Sequence, residues 1–196
     1  MNILLHICCG PCLIYPFNQL RQQGFKISGF YYNPNIYPLG EYQLRLEGLK
    51  ALSKEFCLEV EYPEHRESDY FQSIEGWENP PERCAACWSL RLRKTALRAK
   101  EKGLSAFSTT LLVSPYQDHN LLKQLGFQIA RETGINFYYE DFRGGFRQAQ
   151  AEAKLRGIYR QKYCGCKYSV RPGDKEGERR FLKGAALANL VSKYKI

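Results

Sequence analysis

Hydrophobic and polar positions along the chain alternate between two periods. Ile3-Leu4-Leu5-His6-Ile7 is a short apolar run of strand length, and Gly10-Pro11 behind it turns the chain into a helix expected from Cys12 to about Gly24. Leu13, Pro16, Phe17 and Leu20 form that helix's apolar side, with Pro16 a source of kinking or a later start. Phe25–Tyr32 alternates as a strand and ends in the turn Asn33-Pro34-Asn35. A helix follows over Glu41–Phe56, then a strand over Leu58–Tyr62 and a short helix over Asp69–Ile74. A long helix from about Cys84 to Lys102 is stopped by Gly103. The remaining signals are a buried strand over Ala106–Leu111, a helix opened by Ser114-Pro115 and running from Tyr116 to Thr133, a strand over Ile135–Tyr139 and a helix over Phe146–Arg156.

Strands alternating with helices predict an α/β fold, a doubly wound parallel sheet. We expect one catalytic α/β domain over residues 1–170. A charged C-terminal tail, residues 171–196, carries Phe181, Leu182, Leu187, Leu190 and Val191, as a helix docked on that domain would. In such sheets ligands bind beyond the carboxyl ends of the strands. Cys8-Cys9, Asn33-Pro34-Asn35, Ser114-Pro115-Tyr116 and Asp141-Phe142-Arg143 all fall at that end, so the active site is expected there.

Composition sharpens this picture. No run approaches the ~20 apolar residues of a membrane span, and the opening apolar run is too short for a signal peptide. The expected location is the reducing cytoplasm, where eight cysteines are better read as metal ligands or redox groups than as disulfides. Seven fall into three groups: Cys8, Cys9 and Cys12; Cys84 and Cys87; Cys164 and Cys166. Cys57, alone at a helix end, reads as a core residue. One structural zinc needs about four ligands, as does one [4Fe–4S] cluster. Adjacent Cys8 and Cys9 are not expected to aim both sulfurs at one atom. Two neighbouring metal centres, or one cluster with working thiols beside it, remain open.

The net charge of +9 favours an anionic partner, nucleic acid first. Arg83, Arg91, Arg93, Lys94, Arg98 and Lys100 follow one another without a carboxylate, with Arg91, Lys94 and Arg98 on one helical face. Between Arg143 and Arg171 eight basic residues accompany only Glu152, interleaved with Tyr159, Tyr163 and Tyr168. Such patches meet phosphates and stack unpaired bases. His6, His65 and His119 read as structural, His119 being the one nearest the expected site.

The segments His6–Cys12, Tyr32–Ile36, Arg83–Cys87 with Arg91-Leu92, Thr109–Gln117, Asp141–Arg143 and Tyr159–Ser169 together resemble the cobalamin-independent epoxyqueuosine reductases. The resemblance implies a sheet like that of the adenine-nucleotide α-hydrolases. It also implies reductive removal of the epoxide oxygen from epoxyqueuosine in a tRNA anticodon stem-loop, with an external electron donor and no membrane. The implied cofactors are a [4Fe–4S] cluster and a second mononuclear metal, iron. Their ligands would come from Cys8, Cys9, Cys12, Cys84, Cys87, Cys164 and Cys166, with Asp141 as carboxylate ligand and Asp118 as fallback. Asp141 and Tyr116 are the expected proton-handling residues, although Asp141 also reads as an N-cap paired with Arg143. Two rivals are an ATP-dependent tRNA sulfur transferase and a zinc-stapled RNA-binding module. The loop after the first strand carries cysteines where the former would carry a Ser/Gly-rich phosphate cradle, and no Walker-type motif occurs elsewhere.

Overall fold

The computed structural model describes residues 1–169; the expected C-terminal helix lies outside them. Five parallel strands form one sheet in the order β3-β2-β1-β4-β5. They are β1 (Asn2–His6), β2 (Lys26–Phe30), β3 (Val60–Glu61), β4 (Ala106–Thr109) and β5 (Asn136–Phe137). Six α-helices connect or follow them: α1 (Gly10–Gln22), α2 (Leu39–Glu55), α3 (Glu67–Ser73), α4 (Glu82–Glu101), α5 (His119–Thr133) and α6 (Phe146–Leu155). α1 packs against α2 and α6, while α4 packs against α5, β1 and β4. Helices therefore cover both faces of the sheet, as a doubly wound fold requires.

β1 is central, and Ile3, Leu4 and Leu5 are fully buried. Covered on both faces, such a strand reads as a continuous apolar run rather than an alternating one. Each buried aliphatic side chain contributes about 1.5–3 kcal/mol of transfer free energy. Pro16 sits inside α1 without breaking it. The helix predicted from Tyr116 begins instead at His119: Asp118 Oδ1 accepts from Leu121 N at 3.0 Å, a true N-cap that outcompetes the Ser-Pro signal. Gly134 closes the same helix in the left-handed conformation (φ 75°).

Strand order reverses direction at β1 and β4. Chain leaving β1 passes over one face of the sheet, and chain leaving β4 over the other. The crevice between their carboxyl ends is the binding place of open α/β sheets.

Candidate metal centre

Three thiols converge at that crevice. β1 ends at His6, the chain bends at Cys8, and Cys9 is the extended N-cap residue (φ −171°) of α1. Pro11 occupies the first turn, where its missing N–H costs nothing. The Cys9 side chain makes no cap bond, so its sulfur remains free to meet its neighbours. Cys8 Sγ and Cys9 Sγ lie 3.8 Å apart, and those of Cys8, Cys9 and Cys12 are all within 4.8 Å of one another and buried. Adjacent Cys8 and Cys9, not expected to aim at one atom, nevertheless bring their sulfurs within the spacing of one ion's ligands, because the chain bends between strand and helix. Metal–sulfur bonds of about 2.3 Å at tetrahedral angles separate ligating sulfurs by roughly 3.8 Å. The donor set therefore fits a metal.

The turn that follows β4 supplies the other wall. Thr110 Oγ1 accepts from Cys8 N at 3.0 Å and donates to Cys8 Sγ at 3.3 Å. Hydrogen bonds from the Cys12 and Cys9 thiols hold the Cys8 thiol well below its ordinary pKa, helped by the Arg91 charge and Thr110. Burial pushes the Cys9 thiol up, and the hydrogen bonds to Cys8 and Cys9 push Cys12 up. Gln161 covers the group, its Nε2 donating to Cys9 Sγ at 2.8 Å and standing 3.6 Å from Cys12 Sγ. Gln161 Oε1 is buried with no hydrogen-bond partner among the described residues.

The other four thiols form a looser group. Cys84 and Cys87 stand on the first turns of α4. Cys84, Cys87, Cys164 and Cys166 are near enough to feel one another's charge. Cys87 and Cys166 are buried with Tyr70 and Ile74, whereas Cys164 is exposed. Among the described residues only the Cys8, Cys9 and Cys12 set reaches the mutual spacing of one ion's ligands. Burial pushes the Cys87 thiol up to about 12 against the opposing pull of Arg91. The Tyr70 hydroxyl is buried, has no hydrogen-bond partner among the described residues, and lies beside the Cys166 and Cys87 thiols.

Buried cations join the two groups. Arg91, on α4, has its Nη1 3.9 Å from Cys87 Sγ, and its charge reaches Cys8. Its Nε donates to His6 Nε2 at 3.3 Å and its Nη2 to Asn33 Oδ1 at 2.7 Å. His6 is fully buried with Nδ1 2.8 Å from Thr109 Oγ1. Burial, and then Arg91, lower its pKa to about 3. Arg45, on α2, pairs with buried Glu41 at 2.8 Å. It donates to the Cys164 and Tyr163 carbonyls, both at 3.0 Å, and its charge reaches Cys9. Gly165 adopts φ +121°, and a Cβ there would come within 3.1 Å of Arg45 Nη1. Glycine is what lets the Cys-Gly-Cys strap lie this close.

Several sequence expectations meet a different structure. Arg91 is 2% exposed, so it cannot share a phosphate-facing surface with Lys94 and Arg98. Arg98 pairs with Glu61 and Glu101, and Arg93 with Glu132. Cys57 is exposed in the left-handed conformation (φ 52°) just beyond α2, and is not core. Asp141 is a partly exposed N-cap that accepts from Arg143 N at 3.1 Å and from Arg143 Nε at 2.8 Å. The Arg143 guanidinium holds its pKa down to about 2. Its Oδ1 lies 3.9 Å from Nδ1 of His119, a buried residue, and it is not part of the close thiol set. Tyr116 is 77% exposed, edge-on to Phe146 at 5.8 Å. Asp118 is spent on its cap. Arg45, Gln161 and Tyr70 were not foreseen. Arg45 carries one legible signal, a carboxylate four residues earlier on a helix.

Comparison with known proteins gives a consistent result. Residues 3–172 match the family model described as epoxyqueuosine reductase QueH. The epoxyqueuosine reductase QueH of Dehalococcoides mccartyi is 39% identical over 169 residues, covering 86% of this chain and 92% of that protein. Its counterpart in Thermotoga maritima is 35% identical over 177 residues, covering 86% and 90%. The crystal structure of a predicted subunit of a tRNA methyltransferase from Methanocaldococcus jannaschii superposes with a TM-score of 0.52 at 12% identity, covering 79% of this chain and 74% of that one. That likeness speaks for the fold alone. No helix among the described residues is long and apolar enough to cross a membrane.

Proposed function

The chain belongs to the epoxyqueuosine reductase QueH family, and on that premise we propose that it converts epoxyqueuosine to queuosine in the anticodon loop of tRNA, in the reducing cytoplasm, using a [4Fe–4S] cluster and an adjacent iron. The observation that carries this reading is the buried set of three sulfurs within 4.8 Å of one another at the β1/β4 crevice. The reaction breaks both C–O bonds of the epoxide and forms a C=C bond. It takes up two electrons and two protons, and the oxygen leaves as water. The electrons come from an external donor. Bound at the thiols, the cofactors supply one-electron transfer and a Lewis acid for the departing oxygen.

The chain's own residues would do the rest. Cys8, Cys9 and Cys12 hold one metal group, and Cys84, Cys87, Cys164 and Cys166 complete the thiol complement. Thr110 anchors Cys8 from the opposite side of the switch point. Burial of most of these sulfurs excludes water and strengthens the electrostatics within the crevice. Asp141, kept ionised by Arg143, suits a ligand or proton acceptor better than a donor. Hydroxyl protons stand at Tyr70 Oη, beside the Cys166 thiol, and at the exposed Tyr116 on the loop after β4. Arg143, Arg147, Arg160 and Lys167 offer exposed basic groups for the tRNA backbone.

The test is anaerobic turnover: epoxyqueuosine-bearing tRNA, a chemical reductant and the reconstituted protein, with nucleosides resolved by mass spectrometry. Loss of one oxygen mass per modified base supports the proposal. An unchanged epoxide with fully loaded protein refutes it.

A further inference from the structure

Arg91 is the buried group whose surroundings do not balance. Its guanidinium is 2% exposed, yet its neighbours are a neutral imidazole, a side-chain amide and the Cys87 sulfur. Among the described residues it has no carboxylate partner. Buried Arg45 makes the contrast, with Glu41 at 2.8 Å. A buried cation is costly unless an anion is supplied. The anion-forming groups in reach are thiols, Cys87 by contact and Cys8 and Cys164 through space.

The partners are also arranged to aim it. Asn33, at the end of β2, receives Nη2 at 2.7 Å and is itself fixed by donating to Ile7 O at 2.8 Å. His6, at the end of β1, receives Nε. Two strand ends thus clamp the fork on one side and leave Nη1 toward the thiols. Arg91 lies four residues after Cys87, one helical turn along the same face of α4.

We propose that Arg91 is a positioning residue: a fixed counter-charge shared by both thiol groups, which stabilises the net-negative assembly formed when several thiolates bind metal. This rests on the reading that the thiols hold metal.

The experiment uses the metal-free full chain under anaerobic conditions. It is titrated with Co²⁺ against a competing chelator, following the near-ultraviolet thiolate-to-cobalt charge-transfer absorption. Wild type, Arg91→Gln and Arg91→Lys are compared, together with their urea midpoints without metal. Glutamine keeps an N–H donor but no charge, while lysine keeps the charge but not the fork. Arg91→Gln should raise the Co²⁺ dissociation constant at least tenfold, and Arg91→Lys should stay within about threefold. Urea midpoints of the two variants should differ little, so affinity separates from stability. Should Arg91→Gln not fold, Asn33→Asp makes the same test by setting a carboxylate against Nη2, and the same weakening is expected. Equal weakening by glutamine and lysine, or none by either glutamine or the Asn33 variant, overturns the proposal. A wild-type protein without the thiolate band overturns the metal reading itself, and the role of Arg91 with it.

Discussion

Replacing Arg45 by methionine probes how the Cys164-Gly165-Cys166 strap is held. The Arg45 and Glu41 side chains are 2% and 3% exposed. The substitution keeps the aliphatic stem but strands a buried carboxylate, left with the Tyr159 hydroxyl as its donor. It also frees the Tyr163 and Cys164 carbonyls. Removing one partner of a buried ion pair costs about 3–5 kcal/mol, whereas replacing both partners by uncharged groups is often close to neutral. With a urea m-value near ~2 kcal/mol/M, Arg45→Met should lower the midpoint of the metal-free protein by roughly 1.5–2.5 M. The double variant Glu41→Gln/Arg45→Met should recover at least about half of that loss. Urea titration followed by far-ultraviolet circular dichroism measures both. In the same samples iodoacetamide should label Cys166, on the released strap, faster in Arg45→Met, with a smaller change at Cys8 and Cys12. A loss under about 1 kcal/mol, or a double variant as weak as the summed singles, would refute the reasoning.

Three further outcomes are expected. Gly126→Ala places a Cβ about 2.1 Å from the Phe137 ring and should cost about 1–3 kcal/mol through overpacking, read as a lower thermal midpoint. His65 has a side chain 9% exposed, stacks on Tyr42 at 3.9 Å, and has its pKa lowered from 6.5 to about 4 by burial. The unfolded chain therefore takes up a proton before the folded one. This contribution is intact above pH 6.5 and is lost as pH falls towards 4, by at most about 1.4 kcal/mol per unit. His65→Phe, which keeps the stack, should flatten the urea-midpoint profile over that window, and an unchanged slope would contradict the assignment. Tyr70→Phe removes a buried hydroxyl that has no hydrogen-bond partner among the described residues and only the Cys166 thiol beside it. Stability without metal should hold or rise by about 1 kcal/mol, while turnover of epoxyqueuosine-bearing tRNA should fall; equal turnover would exclude Tyr70 Oη as a proton source.

What the sequence disclosed follows from which interactions are local. Ile3–Ile7 announced a strand and Gly10-Pro11 the turn into a helix, because those signals lie in adjacent residues. The doubly wound sheet followed from alternation alone. The start of α5 was misplaced because Ser114-Pro115 and Asp118 both signal a helix entry, and only Asp118 reaches Leu121 N. Arg91 looked like a surface cation because arginine is mostly exposed; its burial depends on Asn33 and His6, which are remote in sequence. Convergence of Cys8 and Cys9 depends on one bend at a strand–helix junction, a backbone detail that residue spacing does not encode. Gln161 and Tyr70 had no local signal at all, since each matters through thiols on other elements.

Iron and acid-labile sulfide, counted per chain in protein purified without oxygen, bear most directly on the metal centre. Wild type should carry at least four iron and four sulfide, and Cys8→Ser/Cys12→Ser should lose most of both while keeping its far-ultraviolet spectrum. Iron-free wild type, or a folded double variant with undiminished iron and sulfide, would contradict the account.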